Sequence, residues 1–282
     1  MTVLPSLDIF KKYTSNTRDK EFNTVNNILF NDNVNILITK NYISFLESKI
    51  EDFEQVQALI MELYDSNRTS EATIDNEDDN LYEKLYLDNV NQINCLFPIS
   101  IEENFKIKHF KYSSISKLNK NKEYILFELL KSNNISFHYY DFKSNLQIQK
   151  LIKNIFSFPE NTGRISIYNR YSEFKYFTFL KNKSIYYYNL IRGNNHTQRT
   201  EYIRINTELK DNLGRNLILN TTRQTDKIHE RKIFFNSFIL TFDNSFDNLL
   251  ITEPNWKIDI TVDRGECIRE WSKKNQHFRR LN

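Results

Sequence analysis

The sequence predicts an α/β (α+β) protein: a mixed sheet flanked by helices, with an acidic, largely helical region before it. Three observations carry that prediction. Ile43, Leu46, Ile50, Phe53, Val56, Ile60 and Leu63 recur at spacings of three and four, the period of an amphipathic helix. Between residues 122 and 156 a helical pattern, a strand and a second helical pattern follow one another with short connections. Beyond Gly163 the chain turns to short segments rich in β-branched and aromatic residues.

In chain order, the apolar run at 33–39 (NVNILIT) predicts a strand, and the periodicity after it predicts one long helix over 43–63. Residues 66–80 lose apolar periodicity and carry four acidic residues between Asp75 and Asp79, which marks an exposed loop. A short helix at 81–90 and a turn at Pro98 lead into a mixed region that ends near 121. A helix follows at 122–132, a strand at 135–140 (ISFHYY) and a helix at 144–156 with Leu146, Ile148, Leu151, Ile152 and Ile155 on its apolar side. Strands are predicted at 164–168, 175–180, 184–190, 216–220, 228–234 and 237–242, and the tail from Trp271 is basic. Two domains result, residues 1–120 and 121–282.

The composition narrows the function. With 282 residues, 39% hydrophobic, 27% charged and 14% aromatic, the chain buries a substantial core and is not of the disordered class. Four Gly and four Pro, against average usages of roughly 7% and 5%, leave no glycine-rich loop to cradle a nucleotide phosphate. The 37 Asn read as a trace of AT-rich coding. No run reaches the roughly 18 apolar residues of a membrane span, and the start MTVLPSLDIFKKY lacks the pattern of a signal peptide, so a cytoplasmic protein is expected. Cys95 and Cys267 make no disulfide framework and have no ligand-spaced Cys or His beside them, so neither a structural metal nor another cofactor is expected.

The net charge of +3 hides an asymmetry. Residues 45–105 hold 15 Asp and Glu against three Lys and Arg, a net of −12, and the other 221 residues carry +15. The acidic stretch reads as a solvated helix and loop, or as a surface that docks a basic partner.

Of the five histidines, His109, His138, His196 and His277 have no sequence partners that point to a site, and His138 reads as a core or interface histidine. His229 differs. In the segment IHERKIFFN, Arg231 lies two residues on and Asn236 five beyond that, and side chains two apart on a strand share a face. Lys227, Lys232 and Arg223 lie close by, and Lys273, Lys274, Arg279 and Arg280 add a second group of cations. Tyr186, Tyr187 and Tyr188 offer rings for base stacking, but strand alternation puts Tyr187 on the opposite face, which is core packing. Trp256 and Trp271 read as packing residues, and Asp259, Asp263 and Glu266 as part of a strand that ends in a turn at Gly265.

The spacing H-x-R-x4-N resembles the H-x-K-x4-D motif of the phospholipase D superfamily. Thr222 and Arg223 upstream, the I-H-E-R core, and the string DNSFDNL at 243–249 occupy the places where that superfamily carries strand, turn and Gly-Ser-type residues. The variant is similar in particular to the phospholipase D-like domain at the C-terminus of MIT-domain proteins and to its relatives in bacterial conflict systems. Arg231 stands where the family has lysine and keeps the charge; Asn236 stands where it has aspartate and keeps hydrogen bonding but not the carboxylate.

The resemblance implies a phospholipase D-like mixed sheet over 121–282 and, if active, a metal-independent phosphodiesterase or nuclease. His229 would be nucleophile or acid, Arg231 the phosphate clamp and Asn236 the orienting residue, with Arg223, Lys227 and Lys232 binding substrate. One motif implies a homodimer that brings two copies of His229 together, or a place in a larger complex. The setting it implies is bacterial antiviral defence or nucleic-acid processing. The alternative is a non-catalytic module that binds a partner protein, nucleic acid or a lipid headgroup.

Overall fold

The computed structural model describes the chain except residues 72–80, 91, 94, 102–105, 108–109, 112, 115–121, 139–140, 143–144, 160–161, 171–177, 229–230, 244–256, 273–276 and 282. His229, Trp256 and most of the acidic loop predicted at 66–80 lie outside the described residues. The chain divides into two compact units, Met1–Asn133 with Phe158–Asn161, and Asn134–Ser157 with Thr162–Asn282. Both have sheets flanked by helices, the mixed α/β architecture that the sequence predicts.

The first unit runs β1 (Thr2–Pro5), α1 (Leu7–Tyr13), α2 (Lys20–Leu29), β2 (Asn35–Ile38), α3 (Lys40–Lys49), α4 (Phe53–Asp65), β3 (Thr69–Glu71), α5 (Leu81–Asn89), β4 (Leu96–Ser100), β5 (Lys106–Ile107), β6 (Phe110–Lys111), β7 (Ser113–Ser114) and α6 (Lys122–Ser132). Its main sheet is parallel, in the order β3-β2-β1-β4-β7. A parallel sheet covered on both faces needs apolar residues at successive positions, and every residue of β1 and β4 is buried. Caps set the helix starts: Asp19 accepts from the Phe22 N–H at 2.9 Å and Thr39 from the Tyr42 N–H at 3.1 Å. Arg68 is buried, and its guanidinium donates to the carbonyls of Leu29 and Val34.

The long helix predicted over 43–63 is two helices, α3 and α4. Ile50 is extended (φ −119°, ψ 118°), and the chain restarts after Asp52. The apolar spacing continues through the break because Ile50 stays buried in its extended conformation.

The second unit runs β8 (Asn134–His138), α7 (Asn145–Phe156), β9 (Arg164–Asn169), β10 (Ser184–Leu190), α8 (Asn195–Leu213), β11 (Leu217–Thr222), β12 (Arg231–Phe235), β13 (Phe238–Phe242), β14 (Lys257–Val262) and α9 (Arg264–Ser272). Its seven-stranded sheet has the order β11-β10-β9-β12-β13-β14-β8, with β9, β10 and β11 parallel and the remaining pairs antiparallel. Strand alternation sends Phe235 to one face, where it stacks on Phe156 of α7 at 4.1 Å. Phe234 goes to the other, against Cys267 of α9.

Three details differ from the sequence prediction. The predicted strand 175–180 falls partly outside the described residues, and Thr178–Leu180 is a one-turn 3-10 helix. Gly265 lies in the first turn of α9, because Asp263 accepts from the Glu266 N–H at 2.7 Å and starts a helix there. The 19-residue α8 had no counterpart in the prediction. Asn194 caps it by accepting from the Thr197 N–H at 2.9 Å, and Gly214 (φ 94°) ends it where a Cβ would lie 2.6 Å from the Asn182 side-chain oxygen.

Candidate anion-binding site

In open α/β sheets, ligand crevices lie beyond the carboxyl ends of parallel strands. Beyond Thr222, the last residue of β11, the second unit has a pocket of about 570 Å³. Three segments line it: Asn195, Gln198 and Arg199 from the first turns of α8; Thr221, Thr222, Arg223 and Gln224 from the end of β11; and His277, Arg279, Arg280 and Leu281. Among the described residues, the lining contains four arginines and a histidine and no carboxylate. The amino end of α8 adds the positive end of its dipole.

Each wall has a local cause. Residues 277–281 reach the pocket because Arg279 forms an antiparallel bridge with Thr221, N–H to carbonyl at 2.8 Å in both directions. Phe278 anchors the same segment: its ring lies edge-on to Tyr188 at 5.1 Å and to Tyr168 at 5.9 Å, and those two rings are stacked at 4.4 Å. Arg223 donates to the Asn195 side-chain oxygen, which ties the strand end to the helix start. The Tyr202 hydroxyl donates to the Leu219 carbonyl at 3.2 Å; burial raises the pKa of that phenol, against the nearby Arg280 guanidinium, which lowers it. Guanidinium groups present paired N–H donors, the geometry that suits phosphate oxygens.

A second pocket of about 350 Å³ is lined by Arg170, Asn189, Leu190, Ile191, Arg192, Glu201 and Ile205. Its carboxylate, Glu201, is held below its ordinary pKa by the hydrogen bond from Arg204, so an anion there meets a negative charge.

Four of the predicted site residues, Arg223, Lys227, Arg231 and Lys232, are distributed along this end of the sheet. Arg223 lines the larger pocket. Lys227 lies in the exposed turn after β11, 3.0 Å from Asp226. Arg231 and Lys232 open β12; Arg231 donates to the Asp243 carbonyl at 3.3 Å, and Lys232 lies in register with Tyr168 and Thr241. The strand order places β10 and β9 between β11 and β12, so Arg223 and Arg231 are separated by roughly 14 Å of sheet. Asn236 is not brought to them. It occupies the two-residue turn between β12 and β13 with φ 50°, roughly 17 Å along the strand from Arg231.

The tyrosine run is committed to packing. The Tyr187 hydroxyl accepts from Asn169 at 2.9 Å, Tyr188 stacks on Tyr168, and Tyr186 lies under the Arg164 guanidinium at 3.7 Å. Arg279 and Arg280, read from the sequence as part of a basic surface, line the pocket, whereas Arg199, Asn195, Gln198 and His277 were missed. The signal for the α8 residues was present: Gln198, Tyr202, Ile205, Leu209 and Leu213 are its buried positions, at helical spacing behind an Asn cap.

No family model matches the chain, and no curated protein matches it. Among solved structures, TrmBL2, an archaeal chromatin protein with a novel mode of DNA binding, is similar at a TM-score of 0.29 and 8% identity, over 81% of this chain and 66% of that one. The chain thus spans just under two thirds of that protein's length. The phosphatidylserine synthase of Haemophilus influenzae Rd KW20 is similar at a TM-score of 0.34 and 10% identity, over 98% of this chain and 86% of that one. Similarity at this distance carries no argument about what this chain binds.

Proposed function

We propose that the second unit binds the phosphodiester backbone of nucleic acid in the pocket between the start of α8, the end of β11 and residues 277–281. The observation that carries this reading is the charge of the lining, four arginines and a histidine with no carboxylate among the described residues, at the carboxyl end of parallel strands. Binding of this kind releases counterions, and affinity for a single strand falls with salt at a log–log slope of about −0.7 for each phosphate neutralised. The test is fluorescence anisotropy of labelled single-stranded DNA and RNA over a salt series. Arg279→Ala with Arg280→Ala should weaken binding by about tenfold or more, the worth of one or more charge-assisted hydrogen bonds, and flatten the salt slope. Affinity and slope equal to those of the wild type would sink the reading.

A second reading is metal-independent hydrolysis of the bound strand by phospholipase D-like chemistry at His229, with Arg231 as the clamp, Arg223, Lys227 and Lys232 on the substrate, and two copies of the chain supplying two histidines; Asn236, at the opposite end of β12, takes no part in it. One observation favours it: Arg231 and Lys232 open β12 at the end of the sheet where the pocket lies. Hydrolysis of DNA, RNA or a phosphodiester reporter in EDTA, lost in His229→Ala while binding persists, is the expected result. Inactivity of both proteins leaves a binding module, whose acidic 45–105 stretch would dock a basic partner. A place in bacterial defence or nucleic-acid processing rests on the resemblance alone.

A further inference from the structure

We infer that the pocket takes a phosphomonoester, the phosphorylated end of a nucleic-acid strand, rather than phosphates along its length. This rests on the nucleic-acid reading above and specifies its substrate. Grooves that track a single strand cover about 4–16 nucleotides and interleave cations with stacking rings. Here four guanidiniums share one pocket of about 570 Å³, inside the ~300–1,000 Å³ range that encloses one small ligand. The rings beside it are already occupied, Tyr168 and Tyr188 with each other and with Phe278.

Charge points the same way. An internal phosphodiester carries one negative charge, whereas a terminal phosphate carries about −1.5 to −2 at pH 7 and offers three strong acceptor oxygens. Arg199, Arg223, Arg279 and Arg280 bring four guanidiniums to one pocket from three chain segments, a density that a single diester charge does not balance. The amino end of α8 adds the dipole that favours a dianion.

The test compares one oligonucleotide sequence in four forms by fluorescence anisotropy with the full chain: 5′-phosphorylated, 3′-phosphorylated, hydroxyl at both ends, and covalently circular. Either phosphorylated form should bind about tenfold tighter than the hydroxyl-ended and circular forms, the worth of an added charge-assisted hydrogen bond. Arg199→Ala with Arg279→Ala should abolish that advantage. A free nucleoside monophosphate serves as competitor. Displacement only at far higher concentration than the phosphorylated oligonucleotide assigns the phosphate to a strand end; displacement at equal concentration overturns the strand and leaves a free nucleotide as its source. Equal binding of all four forms, still dependent on Arg279 and Arg280, overturns the inference and leaves backbone binding standing. No binding of any form overturns both.

Discussion

In the first unit the carboxyl ends of β1 and β4 are closed by the protein's own groups, whereas in the second unit the end of β11 is surrounded by cations. The Asp8 carboxylate accepts from the Ile101 N–H at 3.1 Å and from the Ser6 hydroxyl. The Ser6 N–H donates to Ile99 at 2.9 Å, and the buried Tyr42 hydroxyl donates to the Pro5 carbonyl. Strand ends present polar groups that need partners; in the first unit the chain supplies them, and the product is a closed structure. In the second unit Arg199, Arg223, Arg279 and Arg280 gather with no carboxylate among the described lining residues, and an anion would relieve their repulsion. The same topological position serves stability in one unit and, on the proposed reading, binding in the other.

The comparison breaks most sharply on charge reversal. Arg223→Glu with Arg279→Glu should lower affinity for single-stranded nucleic acid by about a hundredfold or more at low salt, with an unchanged circular dichroism spectrum. Tyr42→Phe tests the other unit. It leaves the Pro5 carbonyl without that donor and should cost about 1–3 kcal/mol in urea unfolding while nucleic-acid affinity stays at the wild-type value. A loss of affinity there would break the separation of roles.

Phe278→Ala should weaken binding by about tenfold although Phe278 does not line the pocket, because the ring holds the segment that carries Arg279 and Arg280. Phe278→Tyr should restore most of the loss, and wild-type affinity in the alanine variant would show that the Thr221–Arg279 bridge holds the segment without it.

The smallest effect is expected at Asp259. Burial raises the pKa of this carboxyl, but the hydrogen bonds from Lys257 and Ser136 and the charges of Lys257 and His138 outweigh it, so the folded value is lowered. A lowered folded value stabilises above the unfolded value of about 3.9 and is lost as pH falls through the folded value. Asp259→Asn should therefore remove a small acid-side slope from the stability profile and leave binding untouched.

Much of the second unit was legible because its pattern is local. The predicted strand at 184–190 is β10, and Ile148, Leu151, Ile152 and Ile155 are the buried stripe of α7. Leu146 was assigned to that stripe but is 75% exposed, since two residues before Ile148 it points to nearly the opposite side of the helix. α8 escaped because its sequence is polar and one of its buried positions is Gln198, which donates to the Ile191 carbonyl at 3.0 Å. The break between α3 and α4 escaped because Ile50 satisfies the apolar period on either side of it.

Fold class, most strands of the second unit and the division between acidic and basic stretches follow from residue types and spacings along the chain, since side-chain period and backbone preference act over a few residues. The pocket has no such local origin. Arg199, Arg223 and Arg279 lie far apart in sequence, and they meet because β11 pairs with β10 on one side and, 58 residues onward, with Arg279 on the other. Sheet order and a long-range bridge decide which cations share a pocket, and both depend on burying one apolar face as a whole rather than on any single segment.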